Sequence, residues 1–554
     1  MVALNLEREA LESFNYLENL VDPATGYTYF DVFLTDPAEA VHDWPDFLDV
    51  PSRSAETCVL LRHMTGRQVA TEDAFFGRIY ALQERDGLFW RPETEVTRHE
   101  VQLVESALIM AALLARAIGD SDTEAEGRLK RLVDALAGVD MSANPFDLML
   151  HRPMARAYEA FGWPAARSYL ERALKALADG KSPFRPDGSF AGHVHSQLYL
   201  AAGLVEAGRL LEDEHAIDFM ERVFLVIRER STRFGFVPEL AERDDDVIGC
   251  ETCCLMDYIH LALALGRVGK GDCYDDAELA VRNHLVESRV RHGDWLPERR
   301  DARDEGLVLR EGLQQKVIGA YAGWSSPNHI LAYDEFLPAG WIKDEGLAPV
   351  FLRKVRALQN CCGPSGPKAL YLAWQHAARV ERDTVRVNLL LDRALPEAEV
   401  RCLEPHEGRV EVTVAKRLRV ALRVPGFSRM GDVAATCLGR QLSLREEGCY
   451  VVTEPLEASS TAVFRYPLAE ADETVIIGNE GFQQYIYTVR WRGSTVLSIE
   501  PADNAREGRS HLVDRPVRLY YGADGPHPLY RRQGTLSEKP SPEPLNRTPG
   551  PGVW

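Results

Sequence analysis

Apolar residues recur at i, i+3, i+4 and i+7 through the first two-thirds of the chain, which predicts helices rather than strands. Leu4–Leu20, Val101–Ala117, Leu148–Phe161 and Leu198–Leu211 carry the pattern most clearly. These runs form a loose repeat of helix, glycine, short turn and second helix. The glycines that close them are Gly66, Gly119, Gly162, Gly208 and Gly266, separated by 53, 43, 46 and 58 residues. A glycine just past a helix end adopts the left-handed cap that other residues resist. About six helical hairpins at this period predict a closed (α/α)6 toroid, with an open solenoid as the alternative.

Near residue 380 the period changes. Pro364–Ala378 reads as a last helix, and beyond it Val385–Leu391, Val410–Val414, Leu418–Val424, Cys449–Val452, Thr461–Tyr466, Thr474–Ile477, Tyr485–Trp491 and Thr495–Ile499 are short and β-branched. Turn residues bound each of them, as in a β-sandwich, or one and a half of them. The predicted class is therefore mainly α, with a helical catalytic domain over 1–378 and β-sandwich structure over 379–554. Asp22–Pro51 reads as a loop, 288–350 as an irregular insertion, and the proline-rich Ser537–Trp554 as neither helix nor strand. In the insertion, Trp324 and Trp341 suit either stacking on a sugar face or anchoring a packed loop.

Composition narrows the function classes. The 554 residues are 45% hydrophobic and 27% charged, ordinary for a globular protein. A net charge of −20 argues against nucleic acid and anionic membrane surfaces as partners, and is compatible with a neutral sugar. No run of 18 apolar residues occurs, and the N-terminus lacks a basic segment followed by an apolar one. The expected location is cytoplasmic, where free thiols and thiolate–metal bonds persist. A homodimer is compatible with this composition.

Half of the ten cysteines fall in two short runs, Gly249-Cys250-Glu251-Thr252-Cys253-Cys254 and Asn360-Cys361-Cys362-Gly363. A disulfide between adjacent cysteines needs a strained ring, so Cys361-Cys362 is more naturally a ligand pair. One carboxylate and three thiolates suffice for a tetrahedral zinc site. Buried apolar cysteines are the other reading, because the CxxC…CxxC pattern is absent. Polar residues also recur at one phase of the helical repeat. His99 and Glu100 precede one long helix, His151 lies at the start of another, His193 and His195 open a third, and Glu251 and Cys253 open a fourth. In a closed ring these N-terminal turns converge at one mouth, with unpaired N–H groups and partial positive charge.

The Glu-Thr-Cys triplet opening a helix and the later Cys-Cys-Gly-Pro run resemble the β-L-arabinofuranosidases of glycoside hydrolase family 127 and their relatives. Gly192-His193 with Tyr199-Leu200 and Gly203, Arg282-Asn283, Val385–Leu389 and Arg423–Gly426 extend the resemblance over most of the chain. The resemblance implies zinc held by Glu251, Cys253, Cys361 and Cys362, with Cys361 as the nucleophile. It implies sugar-contacting histidines at His151 and His193, and an acid/base glutamate upstream of the Glu-x-Cys motif. Glu239, in Phe234-Gly235-Phe236-Val237-Pro238-Glu239-Leu240, matches best, although its spacing to Glu251 is short for the family. Glu242 and Asp244 remain alternatives, while Asp245 and Asp246 read as a solvated turn.

A thiolate attacking the anomeric carbon would split displacement into two steps with net retention. A carboxyl group must then protonate the leaving oxygen and later deprotonate water. Two other classes stay open at this level. One is a toroidal polysaccharide lyase or sugar isomerase using histidine or tyrosine; the other is a non-catalytic, zinc-stabilised carbohydrate-binding protein.

Overall fold

The computed structural model describes residues 4–141, 144–241, 249–338, 351–478, 484–501, 506–509, 516–519 and 545–546. Up to Ala377 the described helices alternate between an outer and an inner layer. In order they are α1 (Leu6–Asn19), α2 (Asp49–Thr65), α3 (Thr71–Ala81), α4 (Leu103–Gly119), α5 (Thr123–Leu136) and α6 (His151–Phe161). Next come α7 (Pro164–Ala178), α8 (Val194–Leu211), α9 (Glu214–Arg230), α10 (Thr252–Arg267) and α11 (Cys273–Ala280). A single turn, α12 (Leu313–Lys316), precedes the last helix, α13 (Cys362–Ala377). Helices α2, α4, α6, α8, α10 and α13 each pack on the next, and α13 returns to α2, so the ring is closed. The open solenoid is thereby excluded.

Burial separates the two layers. Every residue of α10 from Thr252 to Gly266 is buried, as is every residue of α8 from Val194 to Gly208. The outer helix α5 buries only the stripe Ala125, Leu129, Leu132, Val133 and Leu136. A helix covered on all sides belongs to the wall of a core, and one with a single apolar stripe to its surface. Two of the five glycines are left-handed caps, Gly66 at φ 76° and Gly162 at φ 65°. Gly208 and Gly266 lie inside their helices instead. A methyl on Gly208 would stand 2.9 Å from the Asp213 carbonyl, and one on Gly266 2.7 Å from the Tyr274 ring. There the repeat records close helix packing rather than helix ends.

After α13 the chain becomes strand. A five-stranded sheet, including Thr384–Val387, Arg419–Arg423 and Tyr450–Thr453, faces a six-stranded sheet that includes Ala398–Cys402, Arg409–Val414 and Thr461–Arg465. Val385, Val420, Leu422 and Val451 from the first share one core with Val400, Val410, Val412 and Phe464 from the second, which makes a β-sandwich. The antiparallel strands Glu470–Ile477, Tyr485–Arg492 and Thr495–Glu500 pack Tyr487, Val489 and Trp491 into the helical core instead.

Two stretches read from sequence as irregular contain strands. Asp31–Phe33 and Glu39–Val41 lie in a seven-stranded sheet with Val308–Leu309, Tyr333–Pro338, Phe351–Gln359, Arg506–Arg509 and Pro516–Leu519. Its short strands carry too few residues for alternation to register, and Asp31 pairs with Gln359, far away in sequence. Trp341 and most of Ser537–Trp554 lie outside the described residues.

The run Cys362-Gly363-Pro364-Ser365-Gly366-Pro367 shows how α13 is seated. Pro364 falls in the first turn, where its missing N–H costs no helical bond. Gly363 lies against Tyr16, and a methyl on Gly366 would overlap the buried Tyr321 ring. Gly366→Ala is accordingly expected to destabilise the fold by about 3 kcal/mol, read as a lowered denaturation midpoint. An unchanged midpoint would mean that α13 is not held by this contact.

Candidate metal and active site

The N-terminal ends of three inner helices meet at one point. Glu251 is the N-cap residue of α10 and Cys253 lies in its first turn; Cys361 is the N-cap of α13 and Cys362 its first residue; His193 is the N-cap of α8. Glu251 is also fixed from the side, because Cys250–Glu251 pairs with Trp324–Ser325, which pairs with Ile330–Leu331.

Ligand atoms of Glu251, Cys253, Cys361 and Cys362 lie within 4.8 Å of one another. Cys253 Sγ is 3.4 Å from Cys362 Sγ, and Cys362 Sγ is 3.8 Å from Cys361 Sγ. Glu251 Oε1 stands 3.7 Å from Cys362 Sγ and 3.9 Å from Cys361 Sγ. A tetrahedral zinc with Zn–S bonds near ~2.3 Å places its sulfur ligands about 3.8 Å apart. The donor set fits that ion in chemistry and in spacing. Glu251 is 3% exposed, and Cys253 and Cys362 are fully buried. Cys361 is only partly buried as a residue, although its sulfur belongs to this enclosed group.

Electrostatics in the set are shared. Burial opposes ionisation of Cys253, but hydrogen bonds from Cys361 and Cys362, with nearby His195 and Arg53, hold its thiol well below the ordinary range. Cys361 is pushed well above it, first by its hydrogen bond to Cys253, and Cys362 first by burial. Ionisation of one sulfur in such a group makes its neighbours harder to ionise. His193 Nε2 is 2.6 Å from Glu251 Oε2. Burial lowers the pKa of that imidazole, but the Glu251 charge and hydrogen bond outweigh it and raise it to about 9.

Glu239 is brought beside this group by the backbone. Its carbonyl accepts from Val194 N at 2.8 Å, and its own N–H donates to the Gly249 carbonyl at 3.2 Å. Its side chain is 6% exposed, and Oε2 accepts from Trp324 Nε1 at 3.1 Å. Trp324, itself 2% exposed, is therefore a packed anchor rather than an open sugar platform. Glu242, Asp244, Asp245 and Asp246 lie outside the described residues.

The other histidines go elsewhere. His151, 3% exposed, pairs its Nδ1 with Tyr169 OH at 2.8 Å, and burial pushes its pKa down to about 3. That side chain packs within the helical wall, against Tyr169 of α7. His99 stacks on Trp90 and is half exposed at the rim. His195 pairs through Nδ1 with Asp257 just below the cysteines.

Three neighbours escaped the sequence reading. Cys254 Sγ donates to Glu251 Oε2 at 3.1 Å, so His193, Glu251 and Cys254 make a second donor group sharing the same carboxylate. Ser365 Oγ donates to the Cys361 carbonyl at 2.8 Å and lies 3.4 Å from Cys253 Sγ. Arg53, on α2 beside α13, reaches the group through Ser365. Only the Asp49/Arg53 spacing of four hinted at it, since an i,i+4 ion pair at a helix start is ordinary.

Purified protein is expected to carry one equivalent of zinc per chain. Elemental analysis giving under about half an equivalent after growth with zinc would count against this ligand set.

No helix among the described residues is long and apolar enough to cross a membrane. No known family profile matches the chain, and neither does any curated protein. Solved structures do resemble it. A family 127 β-L-arabinofuranosidase from Geobacillus stearothermophilus T6 superposes with a TM-score of 0.57 at 14% identity, over 88% of this chain and 80% of that one. A second family 127 β-arabinofuranosidase gives 0.56 at 12% identity, over 89% and 81%. A further glycoside hydrolase gives 0.55 at 13% identity, over 86% and 85%. The chain thus has the fold of the family 127 β-L-arabinofuranosidases.

Proposed function

We propose that the protein is a retaining exo-glycoside hydrolase acting on an arabinofuranoside-like sugar, with Cys361 as nucleophile and Glu239 as acid/base. The observation that carries this reading is the tetrahedrally spaced set of Glu251, Cys253, Cys361 and Cys362 at a convergence of helix N-termini beside Glu239. When bound there, zinc would keep the thiols deprotonated at neutral pH. Cys361 is preferred over Cys362 because the resemblance to family 127 places the nucleophile first in the cysteine pair.

In the first step the Cys361 sulfur forms a bond to the anomeric carbon while the glycosidic C–O bond breaks. Glu239 gives its proton to the departing oxygen. In the second step Glu239 takes a proton from water, whose oxygen displaces the thiolate and restores the anomeric configuration. His193 contacts a sugar hydroxyl in this scheme; its hydrogen bond to Glu251 supports that role. His151 has no role in this scheme. The substrate is a carbohydrate, the metal is zinc, and a cytoplasmic location accords with ten free cysteines.

The discriminating experiment is a panel of aryl glycosides with β-L-arabinofuranoside among them, followed by NMR of the first-formed sugar. Turnover with retained anomeric configuration is expected. Inversion, or no turnover of any furanoside or pyranoside by zinc-loaded protein, would overturn the proposal.

A further inference from the structure

Below the four metal donors lies a buried cation that the proposed reaction does not use. Arg53, 6% exposed, puts Nε 2.5 Å from Asp49 Oδ1, Nη2 3.3 Å from His195 Nε2 and Nη1 3.5 Å from Ser365 Oγ. Ser365 in turn bonds the Cys361 carbonyl and touches Cys253 Sγ. The arginine therefore stands one side chain away from the Cys253 sulfur and the Cys361 carbonyl, and thiolates at Cys253 and Cys361 favour its charged form.

Charge counting says why this matters. One carboxylate and three thiolates bring four negative charges, of which a divalent ion neutralises two. The remaining two sit in an enclosed pocket, where uncompensated charge is costly. Around the set stand His193 on Glu251, His195 backed by Asp257, and Arg53 backed by Asp49. Of these groups only a guanidinium keeps its proton at any working pH.

We propose that Arg53 is a positioning residue for the metal: by balancing the charge on Cys253 and Cys361 it sets the affinity of the four-donor site. The proposal rests on the ligand set alone, so it survives or fails independently of the glycosidase reading.

The test is a chelator competition with Zn²⁺ and Co²⁺ at fixed pH. The thiolate-to-cobalt charge-transfer band is read alongside, and unfolding of the metal-stripped protein is measured separately. R53Q is expected to weaken metal binding by about 10–100-fold and to shift the band, the size of effect seen for groups that support metal ligands. R53K keeps the charge without the fork and is expected to recover roughly half of that loss on a logarithmic scale. D49N removes the anion that competes for Arg53, so it is expected to tighten binding, where a purely structural role for the pair predicts loosening. Wild-type affinity in R53Q, or R53K as weak as R53Q, would overturn the proposal. If R53Q does not fold, D49N decides: tighter binding supports the assignment, and equal or weaker binding overturns it.

Discussion

Cys361→Ala is expected to lower kcat on an aryl β-L-arabinofuranoside by on the order of 10⁴-fold or more, the scale of losing a nucleophile. The fold should persist, because the side chain is small and α13 is seated mainly by Gly363, Gly366 and its buried face. Loss of activity alone does not separate nucleophile from ligand, since Cys361 belongs to the metal set. Cys362→Ala supplies the comparison, as it removes a sulfur from the same set but leaves the proposed attacking atom. With zinc in excess, the Cys361 variant should be far slower than the Cys362 variant. A sugar-configured electrophile should label wild-type protein on Cys361. Equal losses in the two variants would reduce Cys361 to a ligand, and label on a carboxylate would replace the scheme with a two-carboxylate route.

The helical ring was legible because its walls are long and periodic. Runs such as Val101–Ala117 and Leu198–Leu211 have both boundaries within four residues of those of α4 and α8. The change of period near residue 380 coincides with the end of α13 at Ala377 and the first sandwich strand at Ala378. What escaped were strands whose partners lie hundreds of residues away, such as Asp31–Phe33 against Phe351–Gln359. Ala398–Cys402 was also missed, flanked by charged residues that mask its buried alternation.

The site was legible where chemistry is concentrated in sequence. Glu251, Cys253, Cys361 and Cys362 stand out as thiols and a carboxylate in two short runs, and the structure gathers those four. Phase along the repeat also placed His193 at the convergence, because it starts an inner helix as Glu251 does. The same reasoning put His151 there, yet its ring turns outward to Tyr169 on α7. Position at a helix start locates a backbone, and side-chain direction decides what is touched. The roles of Arg53 and Ser365 were not legible because their contacts to His195 and Cys253 come from other inner helices.

Glu239→Gln should cut kcat by about 10²–10⁴-fold on substrates with poor leaving groups, the usual contribution of a positioned acid/base. Zinc content should not change, because Glu239 is not among the four donors. Glutamine keeps the shape and can still accept from Trp324 Nε1, so the loop before α10 stays anchored. The deficit in the first step should shrink as the leaving phenol becomes more acidic, since such a phenolate departs without a proton. The second step has no such escape, because water still needs a base. With an activated aryl glycoside the variant should therefore release one equivalent of phenol in a burst and then stall. Intact mass should show the pentosyl group retained on the protein, and peptide mapping should place it on Cys361. A uniform loss across all leaving groups, with no burst, would remove Glu239 from the acid/base role. Glu242 and Asp244, which follow it in the sequence, would then be the groups to replace.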